Sequence, residues 1–294
     1  MIVFKKPVLS YLVLPLCLSI APILQADDAP PTRNALKVCA DPHYMPFSNQ
    51  EGQGYENRIA QLLAAELKLP LEYTWFPQRL GFIRNTLKKE KPEGEGFLCD
   101  LVMGVPTGYE LTATTSPYMQ STYALVLRSD GKLANLKQAT DLLTSPPDNP
   151  DEIKIGITDS GPGAEWLAKY QLHQYMAPYP AQTGDPADFP GKHQLDDLLA
   201  GQLDAAIVWG PSAAYFASHQ QDGRKLSMLP LKSELGVRFN FPISVGVRFG
   251  EKAWKDQVNA ILQTKKTEIQ QILQTEYQIP LVDDTGELLA AVSK

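Results

Sequence analysis

The sequence predicts an α/β protein of two lobes built on one plan, with a cleft between them. Three observations carry this. Short apolar runs of strand type alternate with stripes of helical period, the signature of a parallel sheet covered by helices. The stretch from Gly201 to Pro211 repeats the layout of Gly96 to Pro106, each with a glycine turn, an Asp, an apolar run and a Gly/Pro exit. The chain has 294 residues, about twice the size of an ordinary domain.

Taken in order, Lys5 and Lys6 precede an apolar stretch from Val8 to Leu24, which ends at Gln25 and Ala26 before Asp27 and Asp28. A basic start, a short apolar core and a small residue at the cut read as a secretory signal peptide over residues 1–26. Pro15 and Pro22 interrupt the stretch, which disfavours a membrane-spanning helix, and no later run is apolar for long enough to cross a bilayer. No membrane contact is expected once the leader is removed.

Residues 27–128 read as the first part of lobe 1. Leu36 to Ala40 is a buried strand running into Asp41-Pro42. Glu56 to Leu67 carries Ile59, Leu62, Leu63 and Leu67 on one helical stripe and stops before Pro70. Leu71 to Phe76 is a strand, Gly81 to Lys89 a helix and Leu101 to Val105 a strand. Residues 129–238 read as lobe 2, beginning with a short helix from Asn135 to Leu143 and the Ser145 to Pro150 loop. Ile153 to Ile157 is its first strand, Tyr179 to Lys192 a Pro/Gly-rich loop, and the run into Trp209 a further strand. Residues 239–294 return to lobe 1 with a strand from Phe241 to Phe249 and the C-terminal helices. Trp254, Val258, Ile261, Leu262, Ile269, Ile272 and Leu273 form the face that packs there if the chain crosses the hinge twice.

Composition excludes several functions. With 27 Lys+Arg against 33 Asp+Glu the net charge is −6, which argues against a nucleic-acid binder. Loss of Lys5 and Lys6 with the leader makes the remainder more acidic. Three cysteines without a CxxC leave no zinc ribbon, iron–sulfur cluster or thioredoxin-type pair. The four histidines, at 43, 173, 193 and 219, lack metal-ligand spacing, and no P-loop, HExxH, GxSxG or EF-hand motif occurs.

Export places Cys39 and Cys99 in an oxidising compartment, where one disulfide is the simplest expectation. Strand register points the other way. If Ala40-Asp41 and Gly104-Val105 lie level on neighbouring parallel strands, Cys99 falls about three residues below Cys39, roughly 10 Å away. Two buried thiols are the alternative.

Ligands in open α/β sheets sit outside the carboxyl ends of the strands. That rule selects Asp41, His43, Tyr44, Phe47, Thr107, Tyr109, Ser160, Gly161 and Trp209 as cleft candidates. Asp41 reads either as the cap of the following turn or as an acceptor for an amine. His43 reads as a wall or surface residue before a catalyst. Ser160 and Gly161 precede a helix, where exposed N–H groups hold an anion or simply start the helix. Tyr44, Tyr109 and Tyr118 lie in loops and read as cleft or interface residues, while Trp75 alternates with Tyr73 along a strand.

The residues also carry a family resemblance. Val38-Cys39-Ala40-Asp41-Pro42, Met45-Pro46-Phe47-Ser48-Asn49 and Gly54-Tyr55-Glu56-Asn57 resemble the start of type 2 periplasmic solute-binding proteins. Tyr73 to Arg79, Phe82 to Leu87, Cys99 to Pro106, Ser116-Pro117-Tyr118 and Ser121-Thr122-Tyr123 resemble the MxaJ/XoxJ family associated with quinoprotein methanol dehydrogenases. The resemblance implies the two-lobe type 2 periplasmic solute-binding fold with an interlobe cleft. It also implies a periplasmic, non-enzymatic accessory of methanol oxidation whose partner is a methanol dehydrogenase of large and small subunits, with a cytochrome c of the same pathway as a further partner. The dehydrogenase carries pyrroloquinoline quinone (PQQ) and calcium or a lanthanide; the accessory carries no cofactor of its own. Assembly, activation and cofactor delivery are the implied tasks, and Trp75 and Arg79 join the cleft candidates through the motif.

One departure weakens a simple amino-acid receptor. Amino-acid-binding members of the wider superfamily follow the third strand with a Thr and then an Arg for the ligand carboxylate. Here Gly104 to Leu111 contains Thr107 but no Arg, and Trp209-Gly210-Pro211 stands where an Asp for the amine is usual. The alternative to a dehydrogenase accessory is a transporter-feeding receptor for another small ligand. A dehydratase-like enzyme on this fold would need a buried acid and an Arg clamp, for which Asp41 with Arg79 or Arg84 is the imaginable set.

Overall fold

Leu36–Ala40 forms β1 because Leu36, Val38, Cys39 and Ala40 are all buried, as a strand covered on both faces requires. The computed structural model describes residues 1–2, 32–92, 94, 96–144, 152–185, 188, 191–219 and 225–291. The predicted leader beyond Ile2 and the Ser145 to Pro150 run lie outside the described residues. After β1 come a small hairpin of β2 (His43–Tyr44) and β3 (Ser48–Asn49), helix α1 (Tyr55–Leu67) and strand β4 (Leu71–Trp75). The start of α1 is held by Asn57, whose Oδ1 accepts the N–H groups of Asn49 and Gly54. Its end is a left-handed Lys68 at φ 55°.

The expected Gly81 to Lys89 helix is a single turn, α2 (Phe82–Asn85). The chain leaves helical geometry at Thr86 (φ −126°, ψ −84°), and this lets Leu87 bury completely beside Cys99. Strand β5 (Leu101–Pro106), the short β6 (Ala113–Thr114) and the long β7 (Met119–Arg128) follow. Lobe 2 holds α3 (Asp141–Thr144), β8 (Ile155–Thr158), α4 (Pro162–Lys169), β9 (Met176–Tyr179), α5 (Lys192–Leu199), β10 (Ala205–Trp209), α6 (Gly210–Ser218) and β11 (Leu226–Pro230). The helix expected over Asn135 to Leu143 is thus one turn displaced to Asp141–Thr144. The chain returns through β12 (Asn240–Val247) and ends in α7 (Lys252–Thr264), α8 (Lys266–Gln271) and a π-helical turn at Ile272–Glu276.

Both lobes follow one strand order. Lobe 1 runs β4-β1-β5-β12-β6 and lobe 2 runs β9-β8-β10-β7-β11, each with three parallel strands and then an antiparallel strand arriving from the other lobe. The repeat between the stretches ending at Pro106 and Pro211 is therefore β5 and β10, equivalent strands of the two sheets. Where β7 and β12 cross between lobes they pair antiparallel, Met119–Thr122 against Asn240–Ile243. This double crossing brings Trp254, Val258, Leu262, Ile269 and Leu273 onto Ile59 and Leu63 in the core of lobe 1. Lobe 2 has a core on each face of its sheet, one around Trp166 and Phe239 and one around Leu195 and Leu198.

Cys39 and Cys99 are disulfide-bonded, with Cα atoms 5.5 Å apart. The register expectation held for the strand, since Cys39 lies level with Val102, but the inference against a bridge is overturned. Cys99 precedes β5 and is not in line with it. Asp100 donates its N–H to Lys37 O (2.7 Å) and Thr74 Oγ1 donates to Leu98 O (2.8 Å), so the incoming chain crosses β1 and carries Cys99 to its neighbour.

Candidate functional site

The carboxyl ends of β1, β4 and β5 face those of β8, β9 and β10 across the hinge, and the structure distributes the candidate residues there in three ways. Some are structural. Asp41 is buried, with Oδ1 accepting from His43 N (2.8 Å) and Oδ2 from Gln78 N (2.5 Å), so it caps two turns. His43 is exposed on β2. Thr107 is tied to β12, its N–H donating to Pro242 O (2.9 Å) and its hydroxyl lying 2.7 Å from Ser244 Oγ. Ser160, at φ 56°, and Gly161, the N-cap of α4, form the turn into that helix.

Others make an aromatic filling. Tyr44 stacks on Phe47 (4.4 Å between centroids), which packs on Tyr55 (5.4 Å). Phe47 and Tyr118 belong to the core of lobe 1. Trp75 stacks on Tyr73 (4.5 Å) on the edge strand β4. At the hinge, Trp209 meets Tyr123 edge-on at 5.3 Å and Phe241 at 6.1 Å, with the Arg238 guanidinium 4.8 Å from the Phe241 ring. Of the aromatic residues picked out by their loop positions, Tyr44 stacks on Phe47 and Tyr118 is buried in the core.

The third set opens a groove. Arg79 and Tyr109 line a depression of about 430 Å³ together with Tyr44, Gln78, Arg84 and Gly104 from lobe 1 and Gln182 from lobe 2. Arg79 also reaches across the cleft, its Nη2 donating to the carbonyl oxygens of Asp188 (2.8 Å) and Asp185. Sequence reasoning found no arginine after Thr107, and Arg79, named a cleft candidate through the family motif, lines the groove together with Arg84 from the segment around α2. What the sequence does not show locally is that α2 and the exit of β5 line one groove.

Glu56 was also missed. It is 7% exposed, in the first turn of α1, with its carboxyl against Gly104 and no cation beside it. Burial first, and then the Asp41 charge, push its pKa up to about 8. Burial and the Glu56 charge likewise raise the hydroxyl pKa values of Tyr44, Tyr55 and Tyr118. A buried carboxyl with a raised pKa thus lies among tyrosines.

A second depression, of about 480 Å³, lies at the amino ends of the lobe 1 strands. Arg33, Asp100, Arg248 and Glu251 line it and are paired with one another, which makes it a structural node. Among the described residues, no group of three His, Cys, Asp or Glu could hold a metal ion, and no helix is long and apolar enough to cross a membrane.

No family model matches the chain. It is 29% identical over 261 residues to protein MoxJ of Paracoccus denitrificans, covering 84% of this chain and 89% of that one. Among solved structures, MxaJ from Methlophaga aminisulfidivorans MPT aligns with a TM-score of 0.66 at 25% identity, over 84% of this chain and all of that one. The periplasmic binding protein XoxJ from Methylobacterium extorquens AM1 aligns with a TM-score of 0.65 at 34% identity, over 85% of this chain and 100% of that one. With the two-lobe solute-binding fold, the twice-crossed hinge and this likeness over 85% of its length together, the chain belongs to the MxaJ/XoxJ family.

Proposed function

We propose that this chain is a periplasmic accessory of PQQ-dependent methanol oxidation that binds methanol dehydrogenase and serves its assembly, activation or cofactor delivery. The observation that carries the reading is the 34% identity to XoxJ across 85% of the chain, joined by the likeness to MoxJ. The cleft agrees with it. Trp209, Tyr123 and Phe241 pack on one another at the hinge, and no Arg follows Thr107 to clamp an amino-acid carboxylate. Such a cleft suits a role in which the protein's surface is the working part. PQQ and its calcium or lanthanide belong to the dehydrogenase in this reading, with a cytochrome c as a further partner.

The test is co-purification of native dehydrogenase on the tagged, full-length mature protein. A complex that survives gel filtration at micromolar concentration, with either the apo or the holo enzyme, is the expected result. Failure of both enzyme forms to bind would overturn the reading.

A further inference from the structure

We propose that the groove between the α2 turn and the exit of β5 binds a small carboxylate with an apolar body and no amino group. The groove measures about 430 Å³, within the ~300–1,000 Å³ usual for small-molecule sites. Its floor is apolar: Phe82, Ile83, Val102 and Val105 come from the cluster that packs around the Cys39–Cys99 bridge. Among the described residues, its charged lining groups are Arg79 and Arg84, in a chain whose net charge is −6, and no side-chain carboxylate lines it.

Among the described residues, no salt bridge joins Arg79 or Arg84 to a carboxylate. Arg84 is exposed and makes no ion pair or hydrogen bond with a described residue. Arg79 donates to the backbone carbonyls of Asp185 and Asp188, which accept hydrogen bonds but carry no charge. Asp41 is buried and its two oxygens are turned onto the N–H groups of His43 and Gln78. Guanidinium groups at the rim of an apolar groove recognise a carboxylate through charge-assisted, often bidentate hydrogen bonds. The described lining offers no acid as the partner that an α-ammonium group would need, and the two arginines would repel it. Amino acids are therefore disfavoured and their deaminated counterparts favoured.

The experiment is an NMR or calorimetric titration of the mature protein with 3-phenylpropionate, L-phenylalanine and 3-phenylpropanamide. These share one apolar body and differ in the charged groups. Saturable binding of 3-phenylpropionate is expected, about tenfold or more tighter than either of the other two. Arg84→Gln should weaken it by about tenfold, while Arg84→Lys keeps part of the affinity. Arg84 is exposed, so these variants should fold; unchanged amide dispersion verifies this. The proposal is overturned by no saturable binding up to about 10 mM, by equal binding of the amide, or by unchanged affinity in Arg84→Gln. The site does not depend on the dehydrogenase reading, since failure here leaves co-purification unaffected and the reverse also holds.

Discussion

The Glu56 carboxyl lies directly against Gly104, so close that a Cβ on Gly104 would overlap Glu56 Oε1. Gly104 also adopts a φ of +69°, which L-residues rarely take. Two penalties therefore meet at this position, backbone strain and displacement of a buried carboxyl. Gly104→Ala should lower stability by ~3 kcal/mol, read from denaturant midpoints. Gly108 provides the contrast. It has a φ of +82° but nothing within 4 Å of a built Cβ, so Gly108→Ala should lose only ~1 kcal/mol. Equal losses would show that Glu56 moves aside freely.

The same carboxyl predicts a pH dependence. Glu56 has its pKa raised from 4.5 to about 8, chiefly by burial and secondly by Asp41. In the unfolded chain it gives up its proton near its ordinary pKa, while the native state keeps it. Stability therefore falls as pH rises from about 4.5 to about 8 and levels off above. Over that window the wild-type protein should lose ~4 kcal/mol more than Glu56→Gln, which keeps the shape and cannot ionise. Urea melts at several pH values measure it. Parallel curves for the two proteins would mean that Glu56 is solvated in the native state.

Much of the fold was legible because burial writes itself as composition. The apolar runs of β1, β5 and β10 and the stripe of α1 are visible locally, and the repeat ending at Pro106 and Pro211 follows from equivalent strands. What escaped depends on partners distant in the chain. Met119–Arg128 carries polar Gln120, Ser121 and Thr122 before its apolar run, and nothing local shows that its first four residues pair with β12 and its next five with β10. Thr86 ends α2 because Leu87 is needed in the core, a demand made by Cys99 and Val102. Glu56 opens the α1 stripe in the sequence, and its burial follows from Gly104 and Tyr118, which come from elsewhere in the chain. The arginines of the groove were seen in the sequence, but an early-helix position gave no hint that it lines one groove with the exit of β5.

The disulfide makes a prediction from loop length alone. Cys39 and Cys99 are separated by 60 residues, a closure that constrains the unfolded chain by ~4 kcal/mol. Reduction, or the Cys39→Ala/Cys99→Ala pair, should lower Tm by about 10 °C at this chain size. Scanning calorimetry with and without reductant checks it. An unchanged Tm would place the stabilisation of that corner in the surrounding Phe82, Ile83 and Leu87 packing.

The node at the opposite end of lobe 1 gives the sharpest mutational contrast. Glu251 pairs with Arg33 (2.8 Å) and Arg248 (2.7 Å), while Asp100 faces both at 3.2 and 3.8 Å. Asp100 also accepts the Lys37 N–H (3.0 Å). The guanidinium of Arg33 lies 3.9 Å from the Trp254 ring and that of Arg248 lies 4.1 Å from Phe97, so both cations are sandwiched and largely shielded from water. Removing one acid leaves two guanidiniums sharing a single carboxylate in a poorly solvated pocket. Asp100→Ala should therefore cost ~3 kcal/mol in equilibrium unfolding. The exposed Lys252–Asp256 pair on α7 is the control, because water and salt screen it. Asp256→Ala should leave the unfolding midpoint unchanged within error. If both substitutions had the same small effect, the four-residue node would be no more than a solvated surface cluster. A large loss confined to Asp100 would identify it as the tie between the start of β5 and the chain on either side of it.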